Sequence, residues 1–182
     1  MVLSSISYIV DMDGITRNSV FFPTEIGVYN VLSGQILVYR FALPFTMANL
    51  SFKDRRTANY VLKNILFYKN KQLPHLRSLT FEEYWDSVAW VISERIQPHD
   101  TVVAYKGGTV ERKLFRTFAP NVQLVNLENY GCPTFKQLYT FGPRLDVHSC
   151  DRHDETVYDS TPPHCPGVEV AYYARWLNES LL

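Results

Sequence analysis

Over the first 42 residues the hydrophobic positions fall in short β-branched and aromatic runs, and a two-residue period is plain in the last of them. Further on, helical and strand-like periods take turns. Residues 6–12 (Ile-Ser-Tyr-Ile-Val-Asp-Met) are β-branched and aromatic and end in acids, which predicts a strand. Val20 to Val31 predicts a second strand, interrupted by Pro23, and Ser33-Gly34 is a turn signal. Gln35 to Ala42 predicts a third, with Ile36, Val38 and Arg40 alternating against Leu37, Tyr39 and Phe41. Short turns between such strands imply an antiparallel meander.

The period then lengthens. Residues 51–69 predict a helix capped by Ser51, with Tyr60, Val61, Ile65 and Tyr68 at helical spacing. Thr80, followed by Glu82 and Glu83, opens a stronger helix whose buried face is Tyr84, Val88, Val91, Ile92 and Ile96, and which Pro98 ends. Thr101 to Tyr105 is a short apolar strand bounded by Lys106-Gly107-Gly108. Thr109 to Phe118 is a helix, Gln123 to Leu127 a strand and Thr134 to Tyr139 a brief helix. Residues 142–163 are polar, contain proline and read as loop. Gly167 to Leu182 is a final helix with Val168, Ala171, Tyr172, Trp176 and Leu177 as its apolar set. Strands mixed with helices in this order predict an α/β domain, its sheet covered on at least one face. The loop at 142–163 is long for a compact domain, and such loops are usually functional or disordered.

Composition narrows the class. A length of 182 residues suits a single domain, 1–182, and 46% hydrophobic with 20% charged residues excludes a disordered chain. Lys+Arg and Asp+Glu are both 18, so a strongly cationic surface is excluded and nucleic-acid binding would need a local basic groove. An aromatic content of 14% has two readings, a strand-rich core or base-stacking surfaces. Three cysteines fit reduced intracellular thiols better than a disulfide framework. The N-terminus has no basic stretch leading an apolar run, and no segment reaches membrane-spanning length. These points imply a nuclear or cytoplasmic protein with no membrane partner.

The candidate chemistry is concentrated late in the chain. Cys150, His153 and Cys165 form C-x2-H-x11-C, a spacing suited to a tetrahedral zinc site. A fourth ligand must come from elsewhere, and the candidate is Glu25 in Pro23-Thr24-Glu25-Ile26-Gly27. A carboxylate oxygen completes a thiolate–imidazole set acceptably, and four protein ligands make a closed, structural site. Such a site would order the loop over about 142–166. Cys132 reads as a small buried hydrophobe.

Acids stand at the ends of predicted elements. Asp11 and Asp13, in Val10-Asp11-Met12-Asp13-Gly14, share one face of a strand and can share Mg²⁺ or Mn²⁺. The alternative is a polar strand end leading into a turn. Glu111 opens the helix after the fourth strand. His164 and Glu169 form H-x4-E beside the last helix, with His164 as a candidate general base for water. For both glutamates the alternative is stabilisation of a helix N-terminus, and for His164 a plain loop histidine or a zinc ligand in place of His153. Lys106, Arg112 and Lys113 would face a nucleic-acid backbone if the acids line a cleft, or else simply meet solvent. Lys53, Arg55 and Arg56 are a second small basic cluster of the kind that faces solvent.

Taken together, these residues resemble the ribonuclease H fold, and more narrowly its four-acid exonucleases. That family carries D-x-E at the end of strand one, an Asp near the helix after strand four, and H-x4-D at the last helix. This chain offers Asp11 and Asp13, Glu111, and His164 with Glu169; it differs by Asp for Glu at 13 and Glu for Asp at 111 and 169. The chain also resembles the Maelstrom domain, a ribonuclease-H-like domain of the piRNA pathway with a Glu-Cys-His-Cys zinc set. Glu25, Cys150, His153 and Cys165 match that set, and the resemblance runs from about residue 6 to 178. No HMG box stands within these residues, which fits a stand-alone relative. The resemblance implies structural Zn²⁺, Mg²⁺ or Mn²⁺ if the acids are catalytic, and single-stranded nucleic acid, RNA before DNA, as partner. Two functions follow from it. One is a divalent-metal-dependent 3′–5′ exonuclease or ribonuclease. The other is a catalytically inactive Maelstrom-like module that binds RNA or proteins in small-RNA silencing.

Overall fold

A computed structural model describes residues 2–96, 101–154, 162 and 164–182. The predicted helix stop Pro98, part of the 142–163 loop and Pro163 lie outside the described residues. The chain forms one five-stranded mixed sheet with helices on both faces, an α/β architecture. The strands are β1 (Ile6–Arg17), β2 (Val20–Asn30), β3 (Ile36–Arg40), β4 (Val102–Tyr105) and β5 (Gln123–Asn126), in the order β3-β2-β1-β4-β5. β1, β2 and β3 form the predicted antiparallel meander, while β4 and β5 run parallel to β1.

The helices are α1 (Phe52–Val61), α2 (Phe81–Trp90), α3 (Val110–Phe118), α4 (Phe135–Phe141) and α5 (Pro166–Ser180). One core holds Val10, Met12, Phe22 and Ile26 of the sheet against α1, α2 and α3. The other holds Ile6, Ile9, Ala104 and Val125 against α4 and α5. Thr80 caps α2 as predicted, in a reciprocal pair with Glu83, and the predicted apolar stripe of that helix is buried.

Three elements differ from expectation. β1 runs five residues past Met12, because Asp13-Gly14 does not turn. β2 instead carries an extra residue, Thr24, so that Asp13 pairs with Glu25 and Gly14 with Pro23. Proline cannot donate to the ladder, so a bulge beside it costs little. The hairpin turns at Asn18 and Ser19, whose φ values of 49° and 64° fit a two-residue turn of the primed kind.

The helix predicted over 51–69 ends earlier. α1 widens into a π-helical turn over Leu62–Leu66 and stops at Phe67, which is left-handed with φ 48°. Its buried stripe is Ala58, Leu62 and Leu66, and Tyr60 is 62% exposed. The neighbouring stripe of Val61 and Ile65 is only half-buried. Tyr68 is buried, but beyond the helix, beside the loop that carries His153.

The last helix is buried on all sides from Pro166 to Ala174, not along one stripe, and Trp176 is only half-buried. Two glycines let it lie so close. A Cβ on Gly27 would come within 2.4 Å of the Pro166 carbonyl carbon, and one on Gly167 within 2.5 Å of Val38 Cγ2. The start of α5 therefore rests almost backbone to backbone on β2. Among the described residues, no helix is long and apolar enough to cross a membrane.

Candidate metal centre and acid pocket

The register of β1 against β2 builds the site. On the α5 face, Asp11 pairs with Gly27 and Asp13 with Glu25. Gly27 leaves the gap that the first turn of α5 fills. Cys165, the N-cap of α5, and Glu169, four residues on, are thereby brought over these two cross-strand pairs. The Glu169 amide donates to the Cys165 carbonyl at 3.0 Å, which ties these two positions rigidly.

Cys150, His153 and Cys165 offer ligand atoms that all lie within 4.8 Å of one another, close enough to hold a metal ion. Glu25 stands beside them. Its Oε2 accepts from His153 Nε2 at 2.8 Å and its Oε1 from the Cys150 thiol at 2.7 Å, and both Glu25 and His153 are fully buried. His153 Nδ1 lies 2.6 Å from the Leu66 carbonyl. A carbonyl only accepts, so Nδ1 carries the proton and Nε2 is the atom turned to the ligand cluster.

Tyr68 donates to Glu25 Oε2 at 3.0 Å, and its ring meets the His153 imidazole edge to face. The loop is fastened on either side of His153. Arg152 Nη1 donates to the Thr24 carbonyl at 2.6 Å, the Lys69 amide to the Arg152 carbonyl at 2.8 Å, and the Asp154 amide to the Phe67 carbonyl at 2.7 Å.

The electrostatics of the cluster favour cation binding. The hydrogen bond from Cys150 lowers Cys165 to about 5, with His153 adding to it, so Cys165 is a thiolate at neutral pH. Its partner Cys150 is driven far up by that same bond and by burial, and keeps its proton. Burial pushes His153 down, but its bonds to Cys165 and Glu25 prevail and raise it to about 10. Burial raises Glu25 as well, and the His153, Cys150 and Tyr68 hydrogen bonds outweigh it, so the carboxyl lies below its usual value. Protons therefore occupy positions that a soft cation could take.

The acid pocket adjoins this cluster. Carboxylate oxygens of Asp11, Asp13 and Glu169 lie within 4.8 Å of one another. Asp13 also groups with Glu25 and His153 at the same spacing, so it belongs to both neighbourhoods. Burial, then the neighbouring carboxylates, raise Asp11 and Asp13 well above the ordinary carboxylate range. Asp13 Oδ2 is closed off from solvent and has no hydrogen-bond partner among the described residues. A buried carboxylate oxygen without a donor is costly and suits a bound cation.

The remaining predicted residues take varied places. Glu111 is buried at the start of α3, where its carboxylate accepts its own amide and the Met12 amide; it borders the triad without joining it among the described residues. Burial raises it to about 7 against those bonds. His164 is partly exposed, with Nδ1 3.8 Å from Glu169 Oε2 and its ring against Phe135. Lys106 has a largely buried side chain paired with Glu128 at 3.2 Å. Arg112 is half-buried, with Nε lacking a hydrogen-bond partner among the described residues. Lys113 is exposed. Cys132 is buried in the α4–α5 core, where burial raises its thiol to about 12.

Sequence reasoning missed the residues that orient these groups. Tyr68 and the Leu66 carbonyl meet the site only through long-range packing. Tyr173 donates to Glu169 Oε1 at 3.3 Å, and its position four residues after Glu169 was a readable signal. The chain matches no protein-family model and no curated protein sequence.

Proposed function

We propose that this chain is a ribonuclease-H-like domain that processes single-stranded nucleic acid, RNA before DNA. In it, zinc bound by Glu25, Cys150, His153 and Cys165 braces an acid pocket for Mg²⁺ or Mn²⁺. The observation that carries the reading is the acid triad. Asp11 and Asp13 at the middle of the sheet meet Glu169 of α5, and Asp13 Oδ2 is buried without a hydrogen-bond partner among the described residues. Three hard carboxylates suit a hard divalent cation, and two thiols with an imidazole suit zinc. The strand order, with three antiparallel strands followed by two parallel to the first, supports the fold half of the reading.

A divalent cation in the pocket would supply Lewis-acid polarisation of a phosphodiester. The chain's own part is to gather Asp11, Asp13 and Glu169 on one rigid face. Tyr173 holds one Glu169 oxygen, and His164, 3.8 Å from the other, would take a proton from water.

A specific observation favours a second reading. Glu111 is engaged by the Met12 amide outside the triad, and Lys106 is engaged by Glu128. Both reduce what is available for cleavage and for holding phosphate. The same site would then serve a catalytically inactive Maelstrom-like module that binds RNA or a protein partner in a small-RNA silencing pathway, in a nuclear or cytoplasmic setting.

Labelled single-stranded RNA incubated with purified protein and Mg²⁺ or Mn²⁺ separates the two. Under the nuclease reading, RNA shortens, and Asp11→Asn with Glu169→Gln abolishes the shortening. Cleavage that survives both substitutions removes the acid-pocket mechanism. RNA retained in a gel shift without cleavage favours the binding module.

A further inference from the structure

The acid pocket and the thiolate cluster are built from the same two elements. Asp13 and Glu25 are direct cross-strand partners on β1 and β2, one facing the acid triad and the other the thiolate cluster. Cys165 and Glu169 are one helical turn apart at the start of α5 and contribute to the same two clusters. Two straps therefore join the sites, one strand pair and one helical turn, and Asp13 lies within ligand distance of members of both. The close seat of α5 on Gly27 leaves no slack between them.

We infer that the two sites form one coupled unit: metal in the thiolate cluster raises the affinity of the acid triad for Mg²⁺ or Mn²⁺. The inference rests on the metal assignments above and not on nuclease activity. The reason is geometric. Metal at Glu25 and Cys165 clamps β2 to the start of α5. The triad needs β1, already paired to β2, at a fixed distance from that same turn. Clamping one pair of straps thus removes the freedom that the second cation would otherwise have to remove on binding. Asp13, which groups with both clusters and whose Oδ2 has no hydrogen-bond partner among the described residues, is the residue that joins the two sites.

The test is a pair of reciprocal binding measurements. Mn²⁺ titration followed by electron paramagnetic resonance should show about tenfold tighter binding to zinc-loaded protein than to stripped protein whose circular dichroism remains native. Linkage then requires saturating Mn²⁺ to weaken zinc transfer to a chelating dye by the same factor. Where stripping unfolds the chain, Co²⁺ is put in place of zinc. The thiolate–cobalt absorption should shift when Mg²⁺ is added, and Asp13→Asn should abolish the shift. Equal Mn²⁺ affinities with and without zinc, or a cobalt spectrum indifferent to Mg²⁺, overturn the inference. Absence of Mn²⁺ binding in zinc-loaded protein overturns it together with the cation assignment. Failure to cleave RNA leaves these binding results intact, so the two ideas fall separately.

Discussion

At the scale of single residues, the site depends on hydrogen-bond partners whose own side chains are not ligands. Tyr68 fixes one Glu25 oxygen, and the Leu66 carbonyl fixes the His153 tautomer. Such outer partners set ligand orientation and typically matter 10–100-fold in affinity. Tyr68→Phe, which keeps the ring against His153 and removes only the donor, should weaken metal binding roughly tenfold in a competition with a chelating dye. Glu111 allows a test by pH. Its carboxyl is raised from 4.5 to about 7, so in the folded state it stays neutral where the unfolded chain ionises. That contribution is fully present below pH 4.5 and is lost as pH rises through about 7. Without divalent cations, Glu111→Gln should therefore gain stability relative to the parent between those pH values, then level off. Thermal melts of both proteins across that range check it. A constant difference would mean that Glu111 is ionised throughout.

At the scale of elements, the decisive feature is the crossing of α5 over β2. Binary pattern predicted both elements, but not that they would meet at glycines. A Cβ on Gly27 has nowhere to go, because the nearest atoms are Pro166 backbone at 2.4 and 2.5 Å. Gly27→Ala should cost roughly 1–3 kcal/mol by urea unfolding, as overpacking does. Gly108, where the nearest atom is at 4.0 Å, should accept alanine within about 0.5 kcal/mol. Equal effects at the two positions would mean that the close seat of α5 is not needed. The failed reading of residues 51–69 has a similar lesson. Helical spacing was visible, but two adjacent stripes both carried apolar residues, and only packing selected Ala58, Leu62 and Leu66. The β1 extension was hidden for a different reason. Asp-Gly is a turn signal locally, and pairing with β2 across the Thr24 bulge overrides it.

At the scale of the whole molecule, the thiolate cluster gathers segments that are far apart in sequence. Glu25 comes from β2, Cys150 and His153 from the loop, and Cys165 from the start of α5. A metal held there would bind the folded chain and not the unfolded one, and so would stabilise it by mass action. Zinc-loaded protein should contain about one zinc per chain. At free zinc near a thousand times its Kd, chelation should lower the melting temperature by roughly 10 °C. A melt unchanged by chelation, or by Cys150→Ala, would show that the cluster does not hold the domain together.

What the sequence by itself determined is local. Residue periods laid out most strands and helices in order. The C-x2-H-x11-C spacing and the strand-end acids marked the residue types able to hold cations. Side-chain chemistry and the periods of 2 and 3.6 are properties of short segments and can be read without a fold. Only the tertiary structure decided which distant groups face each other: Asp13 opposite Glu25, Tyr68 behind His153, Glu169 over Asp11, and Glu111 drawn aside to the Met12 amide. Those meetings follow from strand register, one bulge and the close seat of a helix on a strand glycine. All of these depend on packing between segments far apart along the chain.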